Sequence, residues 1–409
     1  MSKTNIIQQI FKDHFGAFLK ENGSRVRKNV IFEVNKMINC RNESKGYTKY
    51  KCPKCGEIKR VAFTCKSRFC TSCGKIYKDN WVENFVNRII NYKHKHVVFT
   101  IPEDMREIFL KERRLLEILP KSAAEVIKSW CEDWNKKEKY MPGIVAVIHT
   151  FGRDLKWNPH VHVMMTLGAI GKSGKWKKIN YMPYKMLRLR WETVLLNNLE
   201  KEIGKKKMKA LKNVMYKRYG KGFYVYAKGE MKNAKEAAKY IGRYMGRPAI
   251  AESRIIKYDG QKVSFWYERH EDGKRMEETI EAKEFIGRLI RHIPEKQFKM
   301  VRNYGLYSRN HQHKRKLLKT IDEKKKEAMK KLRNWRFRIM KIYGIDPIEC
   351  PNCKSIMQLE GIYDWRCINL EIKIKRREER RIYKEIKELE DTYGIIKKLG
   401  KGKIEPLFI

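Results

Sequence analysis

Two apolar runs separated by a short polar break dominate the middle of the chain. Residues 143–150 are uncharged and rich in β-branched side chains, which predicts a buried strand. Residues 160–165 repeat that pattern after a polar stretch at 154–159, so the two predict a hairpin. If it closes near residue 155, His149 lies opposite His160 and His162. Residues 95–102 give an earlier strand, and 222–227 a later one beyond a Lys-rich helical insertion at about 183–219. The Ala-rich stretch 234–248 starts as a strong helix former and stops at Gly246 and Pro248. Residues 254–258 and 263–267 flank Asp259-Gly260, a hairpin turn signal. A helix follows at 281–293, and from about 308 the chain reads as helical and basic. Strands interleaved with helices around one sheet define an α+β class. The divisions expected are a helical, cysteine-bearing region at 1–90, a central domain at 91–305 and a basic C-terminal region at 306–409.

Length and charge narrow this further. At 409 residues the chain is long enough for two or three domains. Lys and Arg number 94 against 47 Asp and Glu, a net charge of +47 spread along the chain, which implies a polyanionic partner. No segment reaches the roughly 18 apolar residues of a membrane span, so nucleic acid is expected and no membrane. The N-terminus shows no leader pattern, which gives a cytoplasmic expectation.

Ten cysteines in such a chain suit metal better than disulfides. Cys52 and Cys55 form one CxxC knuckle, and Cys70 and Cys73 a second, spaced like a zinc ribbon. The expectation is one structural Zn2+ held by these four. Cys40 and Cys65 flank them and either extend the cluster or are buried small hydrophobes. A further knuckle, Cys350 and Cys353, has only Cys367 as an obvious third ligand, and Cys131 reads as core.

Catalytic candidates sit on the predicted sheet and helix. His160 and His162 flank Val161, so in a strand both imidazoles share one face and can hold one metal. Tyr240 and Tyr244 are one helical turn apart, so both hydroxyls can visit one phosphate. Arg243 and Arg247 beside them are the candidate phosphate-binding residues. His311 and His313 repeat the His-x-His pattern in a basic, non-strand context and are set aside.

With these residues in view, the chain resembles the two-tyrosine HUH rolling-circle transposases of bacterial insertion sequences, which carry an N-terminal zinc-binding domain. The resemblance rests on Cys52/Cys55 with Cys70/Cys73, residues 96–102, His149 with His160 and His162, Tyr240 with Tyr244, residues 285–294 and 301–307, and Cys350/Cys353. It implies an HUH-type central antiparallel sheet flanked by helices, and a metal-dependent single-strand DNA endonuclease and strand transferase. It further implies 5′-phosphotyrosine intermediates, Mg2+ or Mn2+ as the catalytic ion, and single-stranded, hairpin and target DNA as partners in the bacterial nucleoid. The residue two before the first motif histidine is often another His in that family and is Asn158 here, which leaves the third metal ligand open between His149, Asp154 and Asn158. The rival expectations are a replication initiator or relaxase, a nuclease using water, and a zinc-ribbon DNA-binding protein without catalysis.

Overall fold

The structure, a computed structural model, describes residues 5–243, 249–269, 272–309, 311, 313, 336, 339–340 and 344–364. By contacts the chain falls into two units. The larger is Met1–Ile38 with Cys65–Gly344, and the smaller is Asn39–Thr64 with Ile345–Ile409.

In chain order the elements begin with α1 (Ile6–Asn22), α2 (Lys28–Ile38), β1 (Tyr47–Lys51), β2 (Ile58–Ala62) and α3 (Thr71–Val86). Then come β3 (His94–Thr100), α4 (Glu103–Lys111), α5 (Ile118–Glu132), β4 (Met141–Phe151), β5 (Trp157–Ile170) and β6 (Trp176–Lys178). The chain continues through α6 (Tyr184–Ile203), α7 (Lys205–Arg218), β7 (Val225–Met231), α8 (Ala234–Gly242), β8 (Ile255–Tyr258), β9 (Lys262–Glu268), β10 (Arg275–Glu281), α9 (Ala282–Ile290), β11 (Val301–Gly305) and β12 (Gln358–Tyr363).

The larger unit is built on an antiparallel sheet ordered β11-β4-β5-β3-β7, with β6 added beside β5. The long apolar runs arise because β4 and β5 are covered on both faces. On one face Val97, Phe99, Ile144, Ala146, Ile148, Val161, Val163 and Met165 meet α4, α5 and α6. On the other, Val145, Val147 and Met164 meet Phe85 of α3 and Ala237, Ala238 and Ile241 of α8. Strand parity therefore assigns His96, His149, His160 and His162 to the α8 face. The Lys-rich segment is more than a surface insertion: Leu187, Trp191, Leu195 and Leu199 are fully buried, and the Trp191 indole donates to the Thr100 carbonyl at 2.7 Å.

A second sheet of the larger unit runs β10-β9-β8. Its β8–β9 turn is the expected one, with Gly260 at φ 99° and Asp259 Oδ1 accepting from the Gln261 and Lys262 amides. The smaller unit contains a three-stranded sheet, β12-β1-β2. Here the sequence expectation of helix from residue 308 onward fails locally, because 358–363 pairs antiparallel with β1. Among the described residues no helix is long and apolar enough to cross a membrane.

Two buried histidines make the larger unit acid-sensitive. His292 donates from Nε2 to the Leu155 carbonyl at 3.0 Å and lies 3.1 Å from the Thr150 hydroxyl, and burial pushes its pKa down to about 4. His94 donates to the Tyr92 carbonyl and meets the Tyr307 hydroxyl at 2.6 Å, and burial again lowers it to about 4. Both are neutral when folded and titrate near 6.5 when unfolded, so the unfolded chain binds more protons between those values. Stability is then lost as pH falls, by about 2 kcal/mol per histidine between pH 7 and 5. Denaturant unfolding at both pH values checks this. His292→Asn should flatten the dependence, and an unchanged slope would remove His292 from the account.

Candidate active site and cysteine clusters

The hairpin turn places the histidines. Gly152 donates to the Lys156 carbonyl and Leu155 to the Gly152 carbonyl, which closes β4 onto β5 with His149 directly opposite His160. On the other side of β5, Val98 of β3 is opposite His162, and His96 is opposite Met164. His149, His160 and His162 thereby converge, with one ring nitrogen from each lying within 4.8 Å of the others. Of the three candidates for a third ligand, His149 is the one in this group. The Asp154 carboxylate instead accepts from the Lys156 amide at 3.1 Å, and Asn158 offers its backbone carbonyl to His160.

Hydrogen bonding around these rings has a definite sense. A carbonyl only accepts, so His160 donates from Nδ1 to Asn158 O at 2.7 Å and its Nε2 keeps a lone pair. For neutral rings, His162 Nε2 then donates to His160 Nε2 at 3.0 Å. His162 Nδ1 accepts from His96 Nε2 at 2.9 Å, and His96 Nδ1 accepts from the Tyr240 hydroxyl at 2.9 Å. His96 is the member of this hydrogen-bonded arrangement that the sequence pattern did not single out. Its signal was present, since it opens the 96–102 motif. It becomes visible as a site residue only once β3 is known to lie beside β5.

Helix α8 delivers Tyr240. Asn233 caps it, its Oδ1 accepting from the Glu236 amide at 2.9 Å while the Glu236 carboxylate reaches back to the Lys232 amide. Ala237, Ala238 and Ile241 bury the inner face. At Gly242 a Cβ would come within 2.2 Å of Val82, so the small residue lets α8 sit close to α3. Tyr240 is half-buried, its ring 4.8 Å from that of His96, and the Arg243 guanidinium lies 5.3 Å from its ring centre. Tyr244 and Arg247 lie outside the described residues. His311 and His313 do not join the cluster, and His313 meets the Lys172 carbonyl.

The cysteines pair differently from the expectation. Cys52 and Cys55 group with Cys350 and Cys353 in the smaller unit, with Cys52 Sγ 3.4 Å from Cys353 Sγ and Cys55 Sγ 3.5 Å from Cys350 Sγ. Cys70 and Cys73 lie in the larger unit, where Cys65 Sγ is 3.6 Å from Cys73 Sγ. A single site of Cys52, Cys55, Cys70 and Cys73 is therefore not formed. The physical reason is that the second pair opens a helix: Cys70 is the N-cap of α3 and Cys73 lies in its first turn, whereas the first pair sits in the β1–β2 turn. The Ser355 hydroxyl lies 3.1 Å from Cys52 Sγ and helps hold that thiol down to about 6. Cys40 is buried just past α2. Cys131 is fully buried in the main core, where burial pushes its thiol up, and Cys367 lies outside the described residues.

An antiparallel sheet presenting a cluster of histidines to a helix-borne tyrosine, in a basic chain with cysteine clusters, defines a DNA-processing class. A family model described as "Putative transposase" matches residues 143–315, which include all three clustered histidines and Tyr240. A second, "Transposase zinc-binding domain", matches residues 10–101. The transposase for insertion sequence element IS801 of Pseudomonas savastanoi pv. phaseolicola is 29% identical over 306 residues, covering 71% of this chain and 72% of that one. A protein y4qJ of Sinorhizobium fredii (strain NBRC 101917 / NGR234), which carries the first description, is 27% identical over 285 residues, covering 65% and 71%. No solved structure matches the chain. The chain belongs to the transposases of bacterial insertion sequences.

Proposed function

We propose that this transposase nicks and rejoins single-stranded DNA at insertion-sequence ends, using Tyr240 as a nucleophile and the three-histidine cluster as the seat of a divalent cation. The observation that carries the reading is the continuous contact from Tyr240 through His96 to His162. A nucleophile and a metal-ligand set are thereby held within one hydrogen-bonded chain.

The donor set fits a cation. Three imidazoles converge, and His160 has the Nδ1–H···O=C contact that commonly orients a metal-ligating histidine. Bound there, Mg2+ or Mn2+ supplies positive charge against the scissile phosphate oxygens. For His162 to offer Nε2 as a ligand its proton must sit on Nδ1. The contacts then run in the reverse sense, with His96 Nδ1–H donating to the Tyr240 oxygen. That bond holds the attacking oxygen in a fixed position beside the cation seat.

The Tyr240 oxygen forms a new O–P bond as the P–O3′ bond breaks. The phenolic proton passes to solvent and the departing oxygen takes one up as a free 3′-OH. The 5′ phosphate stays on the tyrosine, and attack by a 3′-OH reverses the step without ATP. Arg243, beside the ring, is placed to meet phosphate. Tyr244 supplies a second covalent joint, so that element end and target strand are held in turn. The net charge of +47 makes DNA affinity steeply salt-dependent.

The test is to incubate the protein with end-labelled single-stranded oligonucleotides from its element ends, with Mn2+ or EDTA, on denaturing protein gels. Label from the fragment 3′ of the nick should stay on the protein only with metal. Cleavage without adduct would replace the reading by hydrolysis, and neither product would leave DNA binding alone. His96→Ala leaves the clustered histidines in place but removes the partner of His162. It should cost about 10- to 100-fold in Mn2+ affinity or cleavage, and a smaller change in both would make His96 mere packing.

A further inference from the structure

We propose that Cys52, Cys55, Cys350 and Cys353 bind one zinc ion as a closed four-thiolate site, so that a single metal clasps residues 345–364 onto the β1–β2 hairpin. The two matched family stretches, 10–101 and 143–315, both end before Cys350, so the second half of this site belongs to neither.

Three independent features of the smaller unit point to it. The four Sγ atoms lie within 4.8 Å of one another, the grouping a tetrahedral zinc requires. The two knuckles, although far apart in sequence, are built alike. Both read Cys-Pro-x-Cys. In one the Gly56 amide donates to the Cys52 carbonyl and the Cys52 amide to the Glu57 carbonyl; in the other the Lys354 amide donates to the Cys350 carbonyl and the Cys350 amide to the Ser355 carbonyl. Gly56 and Lys354 occupy the same turn position with φ 76° and 63°. Lys354 holds that left-handed conformation without being glycine, which marks a turn fixed by its surroundings.

The framework around the thiols also closes the two chain segments on each other. β12 pairs with β1, Tyr363 stacks on Tyr47 at 4.8 Å, and Asn352 donates to the Glu57 carboxylate at 2.9 Å. Ser355 lies 3.1 Å from Cys52 Sγ and 2.9 Å from Cys353 Sγ, the outer-shell contact a thiolate site uses. Among the described residues Met357 and Tyr50 pack near these cysteines, a small apolar cluster that a metal would reinforce.

The experiment compares the full chain with two double variants, Cys350→Ser/Cys353→Ser and Cys70→Ser/Cys73→Ser, by zinc content and by alkylation mapped on peptides. In the wild type Cys55 is exposed yet should resist alkylation because its thiolate is bound. The first variant should lose one zinc equivalent and unmask Cys52 and Cys55 at least tenfold in rate, leaving Cys70 and Cys73 protected. The second should leave Cys52, Cys55, Cys350 and Cys353 protected, which shows the clasp even if the first variant folds poorly. Unmasking of Cys52 and Cys55 by the second variant, or unchanged zinc in the first, would overturn the assignment. None of these readouts depends on strand cleavage.

Discussion

Tyr240→Phe is expected to lower the first covalent adduct and the first strand cleavage together, by on the order of 10³-fold or more, because the Tyr240 oxygen makes that attack and Tyr244 serves the second joint. The substitution is otherwise mild. Phenylalanine keeps the ring packing on His96 at 4.8 Å and the Arg243 guanidinium 5.3 Å away. It loses the hydroxyl that donates to His96 Nδ1, a bond at the edge of the core whose removal costs about 1 kcal/mol. Folding and DNA affinity should therefore stay close to wild type, the latter being dominated by the large basic excess. The measurement is adduct yield and nick yield on one labelled oligonucleotide, with filter binding of the same oligonucleotide as control. An adduct surviving at wild-type rate would transfer the first attack to Tyr244. Nicking that survives without an adduct would make water the nucleophile.

How much of this was legible in sequence depended on whether a residue's role is set locally. The β4–β5 hairpin was readable because its two runs have strand length and a polar break. Period-2 alternation then fixed which histidines share a face, with His149 opposite His160 as the pattern required. Helix α8 was readable from its alanines. His96 was not, since its role requires β3 to lie beside β5, a pairing between segments far apart in the chain. Strand β10 was also missed: its residues 275–281 are charged and mostly exposed, and only pairing with β9 makes them a strand.

The cysteines show the same limit with a cue that was available. Nearness in sequence suggested joining Cys52/Cys55 to Cys70/Cys73, but the knuckles that match in local chemistry are the two Cys-Pro-x-Cys turns. A Pro after the first cysteine and a left-handed residue after the second favour a turn in a ribbon. Cys70-Thr-Ser-Cys73 lacks that proline and starts a helix, as its Thr and Ser allow. Local turn chemistry was thus a better guide to partnership than separation along the chain, and it also accounts for why no third ligand for Cys350 and Cys353 was needed from Cys367.

His162→Ala is the second large effect, and it separates the proposed divalent-cation seat from the thiolate zinc. His162 occupies the middle of the cluster: its Nε2 is 3.0 Å from His160, its Nδ1 2.9 Å from His96, and its ring 4.5 Å from that of His149. Removing it takes away one of three converging ligands and also the link between the metal seat and Tyr240. Mn2+ affinity should fall by at least about 100-fold, more than for an outer-shell loss, and cleavage should stay low even at saturating Mn2+. Stability should fall by about 2 kcal/mol, since the buried imidazole loses its contacts to His160 and His96. Zinc content should remain at the wild-type value, because thiolates hold that metal. Calorimetric titration with Mn2+ alongside zinc analysis distinguishes the outcomes. If cleavage recovers fully at high Mn2+, His162 serves affinity alone and the contact through His96 carries no part of the chemistry. If zinc is lost with the histidine, the imidazoles and not the thiols hold it, and the assignment of Mg2+ or Mn2+ to this seat fails.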